Sequence, residues 1–237
     1  MSSPHPASPP VASLKARATK RLAITLAVLA LLLFLSAGTF RFWQAWLFVV
    51  MQAVLWTYFF YDFLKNDPQL VERRLHARET ETEQKWFQRL WVLITIPGFV
   101  LAGFDFRFGW TNQRFVPVPM WLVLAGQVGV VAGYWVVFWV MKTNTFAAST
   151  IRVESGQTVI ETGPYSMVRH PMYTGMVVTM LAAPLALGSY VTLPLFALAV
   201  PVLIFRLVHE ERTLKRDLRG YGDYCMRTRF RLLPWVW

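Results

Sequence analysis

The stretch PMYTGMVVTMLAAPLALGSYVTLPLFALAVPVLIF, Pro171 to Phe205, runs for 35 residues without a charge. One straight helix of that length would measure roughly 52 Å at about 1.5 Å per residue. The hydrocarbon core of a bilayer is only about 30 Å thick. Gly188-Ser189-Tyr190 stands in the middle of the run. The stretch therefore predicts two membrane helices joined by a tight turn. Pro184, Pro194 and Pro201 predict kinks within them.

The rest of the chain agrees with a membrane setting. Of its 237 residues 55% are hydrophobic and 16% charged, against about 25% charged in a soluble domain. The net charge of +11 need not imply nucleic acid, because cytoplasmic loops of membrane proteins collect Lys and Arg. Cys225 is the single cysteine, which excludes an intrachain disulfide and a multi-cysteine metal site. The four histidines, His5, His76, His170 and His209, lack metal-ligand spacing, so no metal is expected.

Further charge-free runs lie outward from the decisive stretch. Leu22–Phe40 and Phe42–Tyr61 form a hairpin about Gly38-Thr39-Phe40-Arg41. The first run lacks a small-residue cleavage site and reads as a retained helix rather than a signal peptide. Leu90–Phe104 is short for a span, and Trp86 and Phe87 extend it at the interface. Phe115–Met141 enters through Pro117 and Pro119, so its helix should begin near Pro119. Its Gly129-Val130-Val131-Ala132-Gly133 is a GxxxG pattern that permits close helix approach. We read it as packing within the chain, with a dimer face as the alternative.

Between the runs lie polar segments. Asp62–Arg89 reads as a charged connector, with a helix start at Asn66-Asp67-Pro68. Lys142–Arg169 reads as an ordered loop, with extended pieces at Thr150–Val153 and Thr158–Ile160 and a turn at Gly156. Six spans would place the N-terminus, both these loops and the tail on one side. That side would hold 21 of the 24 Lys and Arg residues, which predicts cytoplasmic termini. The expected fold is an all-α integral membrane protein of about six transmembrane helices, with a cytoplasmic-side pocket in its C-terminal half. Residues 1–20 are expected to be a disordered basic tail, 21–118 N-terminal helices and loops, and 119–237 the functional core. Arg206–Trp237 reads as an amphipathic basic tail along the membrane surface.

Chemistry concentrates at two places on that side. Thr162-Gly163-Pro164-Tyr165-Ser166-Met167-Val168-Arg169-His170-Pro171-Met172-Tyr173-Thr174-Gly175 sets turn formers and ionisable groups against the start of a span. Ionisable groups at a membrane edge cost free energy and mark a site by default. Pro171 restricts His170 to extended backbone and suits the first helical position. Free N–H groups at that helix start favour an anion. Arg206 and Glu210, four apart, share one helix face. The bland alternative is a snorkelling Arg with an ion-pair partner. Glu210 and Glu211 point about 100° apart, and we expect Glu210 inside and Glu211 at the surface. No P-loop, GxGxxG, GxSxG or HExxH occurs.

Thr162-Gly163-Pro164-Tyr165, Arg169-His170-Pro171-Met172-Tyr173 with Gly175, Glu210-Glu211, Tyr221-Gly222-Asp223-Tyr224 and Arg229-Phe230-Arg231-Leu232-Leu233-Pro234 together resemble the isoprenylcysteine carboxyl methyltransferase family. The resemblance covers roughly residues 119–237. It implies S-adenosylmethionine as methyl donor, held by Gln157, Thr158, Val159, Ile160, Tyr165, Arg169, His170, Pro171, Met172, Tyr173 and Glu210. It implies Arg206 and Glu210 as the catalytic pair and a prenylcysteine-like or other lipophilic carboxylate as acceptor. Expected partners are that acceptor and the lipid bilayer, without nucleic acid and with no oligomer required. The Arg-His-Pro-x-Tyr-x-Gly part alone is shared with membrane sterol reductases, so an NADPH-dependent reductase is the alternative. Transfer to a phospholipid amine or small thiol is another.

Overall fold

The computed structural model describes residues 11–68, 70–72, 82–114, 116–144 and 157–237. Among the described residues nine α-helices have both ends defined, and there is no strand. They are α1 Val11–Ala37, α2 Trp43–Asn66, α3 Thr82–Phe108, α4 Trp110–Arg114 and α5 Met120–Thr143. After a 3-10 turn at Gly163–Ser166 come α6 Pro171–Ala186, α7 Leu193–Ala197, α8 Ala199–Asp217 and α9 Tyr221–Arg227. Among the described residues five stretches are long and apolar enough to cross a membrane: Ser13–Ala37, Trp43–Asn66, Trp86–Phe108, Met120–Thr143 and Leu193–Asp217. The chain is an all-α, multi-pass membrane protein.

The decisive stretch folds into the expected hairpin, but its arms are unequal. Gly188 takes a φ of 70° at the turn, a conformation that suits glycine. The arm before it, α6, has 16 residues, or about 24 Å. That is short of a full hydrocarbon core, so five full-length spans stand where about six are expected, with α6 a shorter apolar helix beside them. The other arm is prolonged by α8 beyond the apolar run. Pro194 sits in the first turn of α7 and Pro201 in that of α8. A missing N–H removes no intrahelical bond there. Pro194 thus starts α7, whereas Pro201 stands just after the break at Leu198, where α7 passes into α8 within one apolar stretch. Pro184 lies inside α6.

Other ends also shift. Residues 11–20, expected in a disordered tail, are helical and belong to α1. Asp67 caps the start after Pro68: its Oδ1 accepts the Leu70 N–H at 3.0 Å. The extended pieces at Thr150–Val153 and the turn at Gly156 lie outside the described residues. Residues 157–160 carry no regular structure.

The helices sort their faces as a bilayer dictates. Ile24, Val28, Leu31 and Leu35 form an exposed stripe on α1, while Leu29, Leu33 and Ala37 are buried. The inner residues join Phe48, Ile94, Val130, Met180 and Phe196 in one core. Lipid tails are as apolar as these side chains, so close packing must hold the helices together. The GxxxG residues supply it within the chain. Gly133 meets Gly175 across the α5–α6 interface: a Cβ added to either would lie 2.6 Å from the other's carbonyl oxygen. Gly126 faces the Leu185–Ala186 backbone in the same interface. Gln127 Nε2 donates to the Ala186 carbonyl at 3.1 Å. This seam fixes α6 against α5 and so fixes the helix start that carries His170.

Candidate active site

The site grows from the start of α6. His170 is its N-cap residue, with φ −128° and ψ 61°, and Pro171 opens the helix. The φ is that of extended backbone, as the His-Pro pair predicts, but the ψ falls short of the extended range. Before it, Gly163 takes a φ of 60° and its Cα approaches the last turn of α5. A Cβ there would meet Thr143 Oγ1 at 3.1 Å and Trp139 Nε1 at 3.5 Å. The 3-10 turn thus seats Tyr165 against the end of α5, where Asn144 Nδ2 donates to its hydroxyl at 3.0 Å.

Two polar constellations meet here. In the first, the Tyr173 hydroxyl donates to Glu210 Oε2 at 2.5 Å and accepts from Arg206 Nε at 3.0 Å. Tyr173 is buried. The i, i+4 spacing of Arg206 and Glu210 does place both on one face, as expected. The Arg206 guanidinium also lies over the Phe87 ring at 4.1 Å. Phe87 and Trp91 of α3 pack beside Tyr173, Leu203 and Leu207. A charged tip thus stands at the end of an apolar wall.

In the second, Glu211 is the centre. It is 4% exposed, whereas Glu210 is only half-buried. The expected assignment is therefore inverted. The two carboxylates do diverge, but the tail returns over the side of α8 that Glu211 faces. Arg169 Nη1 lies 2.9 Å from Glu211 Oε1, and His170 Nε2 lies 3.6 Å from the same oxygen. Arg231 Nε donates to Oε2 at 3.1 Å, and Lys215 Nζ stands 3.9 Å away. The His170 and Tyr173 rings, 5.8 Å apart, join the two constellations.

The tail is a wall of the site as well as a surface element. The Arg169 and His170 N–H groups donate to the Phe230 and Arg231 carbonyls, both at 2.9 Å. Thr174 Oγ1 donates to the Leu232 carbonyl at 2.7 Å. Upstream, α9 packs Tyr221 and Tyr224 on Leu218, with Val159 and Tyr165 against them. Tyr224 donates to the Tyr165 carbonyl at 2.7 Å. Burial pushes the phenols of Tyr221 and Tyr224 well above the usual tyrosine range, so both remain donors at neutral pH. Arg227 pairs with Glu161, pinning the segment that carries Gln157–Ile160.

Of the expected site residues, Tyr173, Arg206 and Glu210 touch, and Arg169 and His170 adjoin them. Pro171 is buried and Met172 half-buried at the same helix start. Val159 and Tyr165 line the α9 side. Gln157 and Ile160 are half-buried and Thr158 exposed beside them. Sequence reading did not include Glu211, Arg231, Tyr221, Tyr224 or Phe87 in the site. The Tyr221–Tyr224 spacing and the Glu211–Lys215 spacing were available signals. Phe87 carried none, because it comes from a distant helix.

Comparison with known proteins bears on this half of the chain. Residues 121–220 match the phospholipid methyltransferase family. The segment that builds most of the site is thus similar to that family. Over 95 residues the chain is 35% identical to a Delta(14)-sterol reductase of Mus musculus. That alignment covers 37% of this chain and 22% of the reductase. The chain thus spans about a fifth of the length of that curated relative.

Proposed function

We propose that the protein is a membrane-embedded methyltransferase that uses S-adenosylmethionine and methylates a carboxylate of a lipophilic acceptor, prenylcysteine-like or otherwise. The observation that carries this reading is the Tyr173 hydroxyl shared by Arg206 and Glu210, set beside the Arg169–His170 helix start. Its place in the family-matched segment supports it.

The residues present suit such a donor. It carries a sulfonium, an ammonium and a carboxylate, and supplies a methyl group already activated for displacement. Glu210 offers a half-buried anion for the cationic end. The carboxylate suits the α6 start, whose first amides have no partner within the helix. Arg169 is buried there, and its Nε has no acceptor among the described residues. Gln157–Ile160 and Tyr165 would border the rest of the donor.

Arg206 would orient the acceptor carboxylate, for which a guanidinium has matching bidentate geometry. An ionised carboxylate is already a nucleophile. Its oxygen forms the new C–O bond as the S–CH3 bond breaks, and the bonding pair stays on sulfur. The products are an ester and S-adenosylhomocysteine, and no proton moves. No general base is therefore needed. Catalysis would rest on alignment and on exclusion of water, which Phe87, Trp91 and Leu207 favour. The apolar wall between α3 and α8 would take the acceptor's lipid part from the bilayer. The charge asymmetry of the loops supports cytoplasmic termini and a site on that side.

Titration of the purified protein with S-adenosylhomocysteine and with NADPH tests the reading. Binding of the first, and labelled methyl transfer to prenylcysteine analogues or other lipophilic acids, is expected. The identity to a sterol reductase makes NADPH the competing ligand. NADPH binding without S-adenosylhomocysteine binding would replace methyl transfer with reduction. Label appearing in phospholipid amines or small thiols instead would redirect the acceptor.

A further inference from the structure

We infer that Glu211 is a positioning residue: anchored by Arg231 of the returning tail, it holds Arg169 and His170 in the orientation that the methyl-donor half of the site requires. What the site holds rests on the methyl-transfer reading. The orienting role rests on geometry.

A buried carboxylate is costly unless its oxygens are satisfied. Glu211 Oε2 accepts from Arg231, while Oε1 has no well-formed hydrogen bond and is balanced by the charge of Arg169 at ion-pair distance, with His170 beside it. The same two residues are gripped by their backbone, through the Phe230 and Arg231 carbonyls. Arg169 Nη2 donates to the Arg229 carbonyl at 3.2 Å as well. Side chain and main chain are thus fixed from one tail. The tail is itself tied down. The N–H groups of Arg231 and Leu232 donate to the Trp237 carbonyl at 2.8 and 2.9 Å. The Arg231 guanidinium lies 5.0 Å from the Trp237 ring centroid. Glu211 therefore transmits the position of residues 229–237 to the α6 start.

The arrangement also sets the His170 ring. Its Nε2 faces Glu211 and stands 3.5 Å from the Tyr221 hydroxyl. A carboxylate at that nitrogen favours the tautomer with the proton on Nε2. Nδ1 is then the acceptor. One glutamate thus fixes a ring tautomer and a guanidinium plane together. Its charge is outnumbered by Arg169, Arg231 and Lys215, so the cluster keeps a positive excess toward an anionic ligand.

Two variants test this. Glu211→Gln keeps the shape and removes the charge. Arg231→Met keeps the stem, and its site is partly exposed, so it retains a fold should Glu211→Gln lose it. In the folded protein we expect S-adenosylhomocysteine affinity to fall about 10- to 100-fold in Glu211→Gln and less in Arg231→Met. The acceptor KM should hold. Nitrogen NMR of the histidine rings, assigned through His170→Asn, reads the tautomer without any ligand. Wild type should show Nε2 protonated, and both variants a mixture. Unchanged His170 signals in the variants would overturn the inference. So would melting temperatures that fall while ligand affinity holds, since that pattern is purely structural. Shifted ring signals in a protein that binds no S-adenosylhomocysteine would sink the methyl-transfer reading and leave the positioning role standing.

Discussion

Gly133→Ala adds one methyl group to α5, at the point where α5 and α6 are closest. The new Cβ would lie 2.6 Å from the Gly175 carbonyl oxygen and 2.9 Å from the Thr179 nitrogen. Ordinary contact begins at 3.4 Å. The Thr179 hydroxyl, which lies closer still, could rotate away, but these two obstacles are backbone and no side-chain rotation relieves them. The helices must part by about 0.8 Å, or the methyl must be strained in place. Overpacking of this kind costs about 1–3 kcal/mol. For a chain of this size each kcal/mol lowers the melting temperature by about 2–4 °C, giving a drop of roughly 2–12 °C. The same shift moves Pro171 and His170, since they begin α6. A displacement near 1 Å at reacting groups can cost about 100-fold in rate. Thermal unfolding in detergent, followed by helical circular dichroism, reads the first effect. Gly222→Ala is the matched control, because nothing lies within 4 Å of a Cβ there. Gly133→Ala melting together with Gly222→Ala would refute the seam as the element that positions α6.

Other variants separate site from scaffold. Tyr173→Phe deletes the hydroxyl between Arg206 and Glu210 and should lower methyl transfer about 10- to 100-fold, read by label incorporation. Asp105→Ala strips Thr111 of two hydrogen bonds, from its N–H at 2.6 Å and its hydroxyl at 2.5 Å. It should cost about 1–3 kcal/mol in unfolding while S-adenosylhomocysteine affinity holds, since this network joins α3 and α4 to the α6–α7 turn. The raised Tyr221 and Tyr224 phenols predict an alkaline limit. Their protons are held more tightly folded than unfolded, so their contribution persists below the ordinary value of about 10 and fades as pH rises through the folded values. Tyr224→Phe should reduce that loss in a melting series above about pH 10.

Sequence patterns carried the local part of this arrangement. The length of the 171–205 run and Gly188 placed a hairpin. Pro119 marked the start of α5, and Gly129-x-x-x-Gly133 marked a close contact within the chain. The His-Pro pair put His170 at a helix start, and the spacing of Arg206 and Glu210 gave a shared face. What sequence could not supply was what lies opposite each face. Glu210 and Glu211 are equivalent by composition and differ by one residue in phase. Which one is buried is settled by the tail, whose Arg231 arrives from 20 residues downstream. Phe87 reaches Arg206 from α3 across more than a hundred residues. The shortness of α6 also escaped, because the charge-free run continues through its turn and a residue count cannot show where a helix stops.

The central claim, a methyl-donor site joined to Glu210 through Tyr173, is tested most directly by calorimetric titration of S-adenosylhomocysteine into the purified protein. Saturable binding at one site per chain is expected, weakened at least tenfold by Glu210→Gln and by Tyr173→Phe in folded protein. Absence of binding to the wild type, or equal affinity in all three proteins, would contradict it.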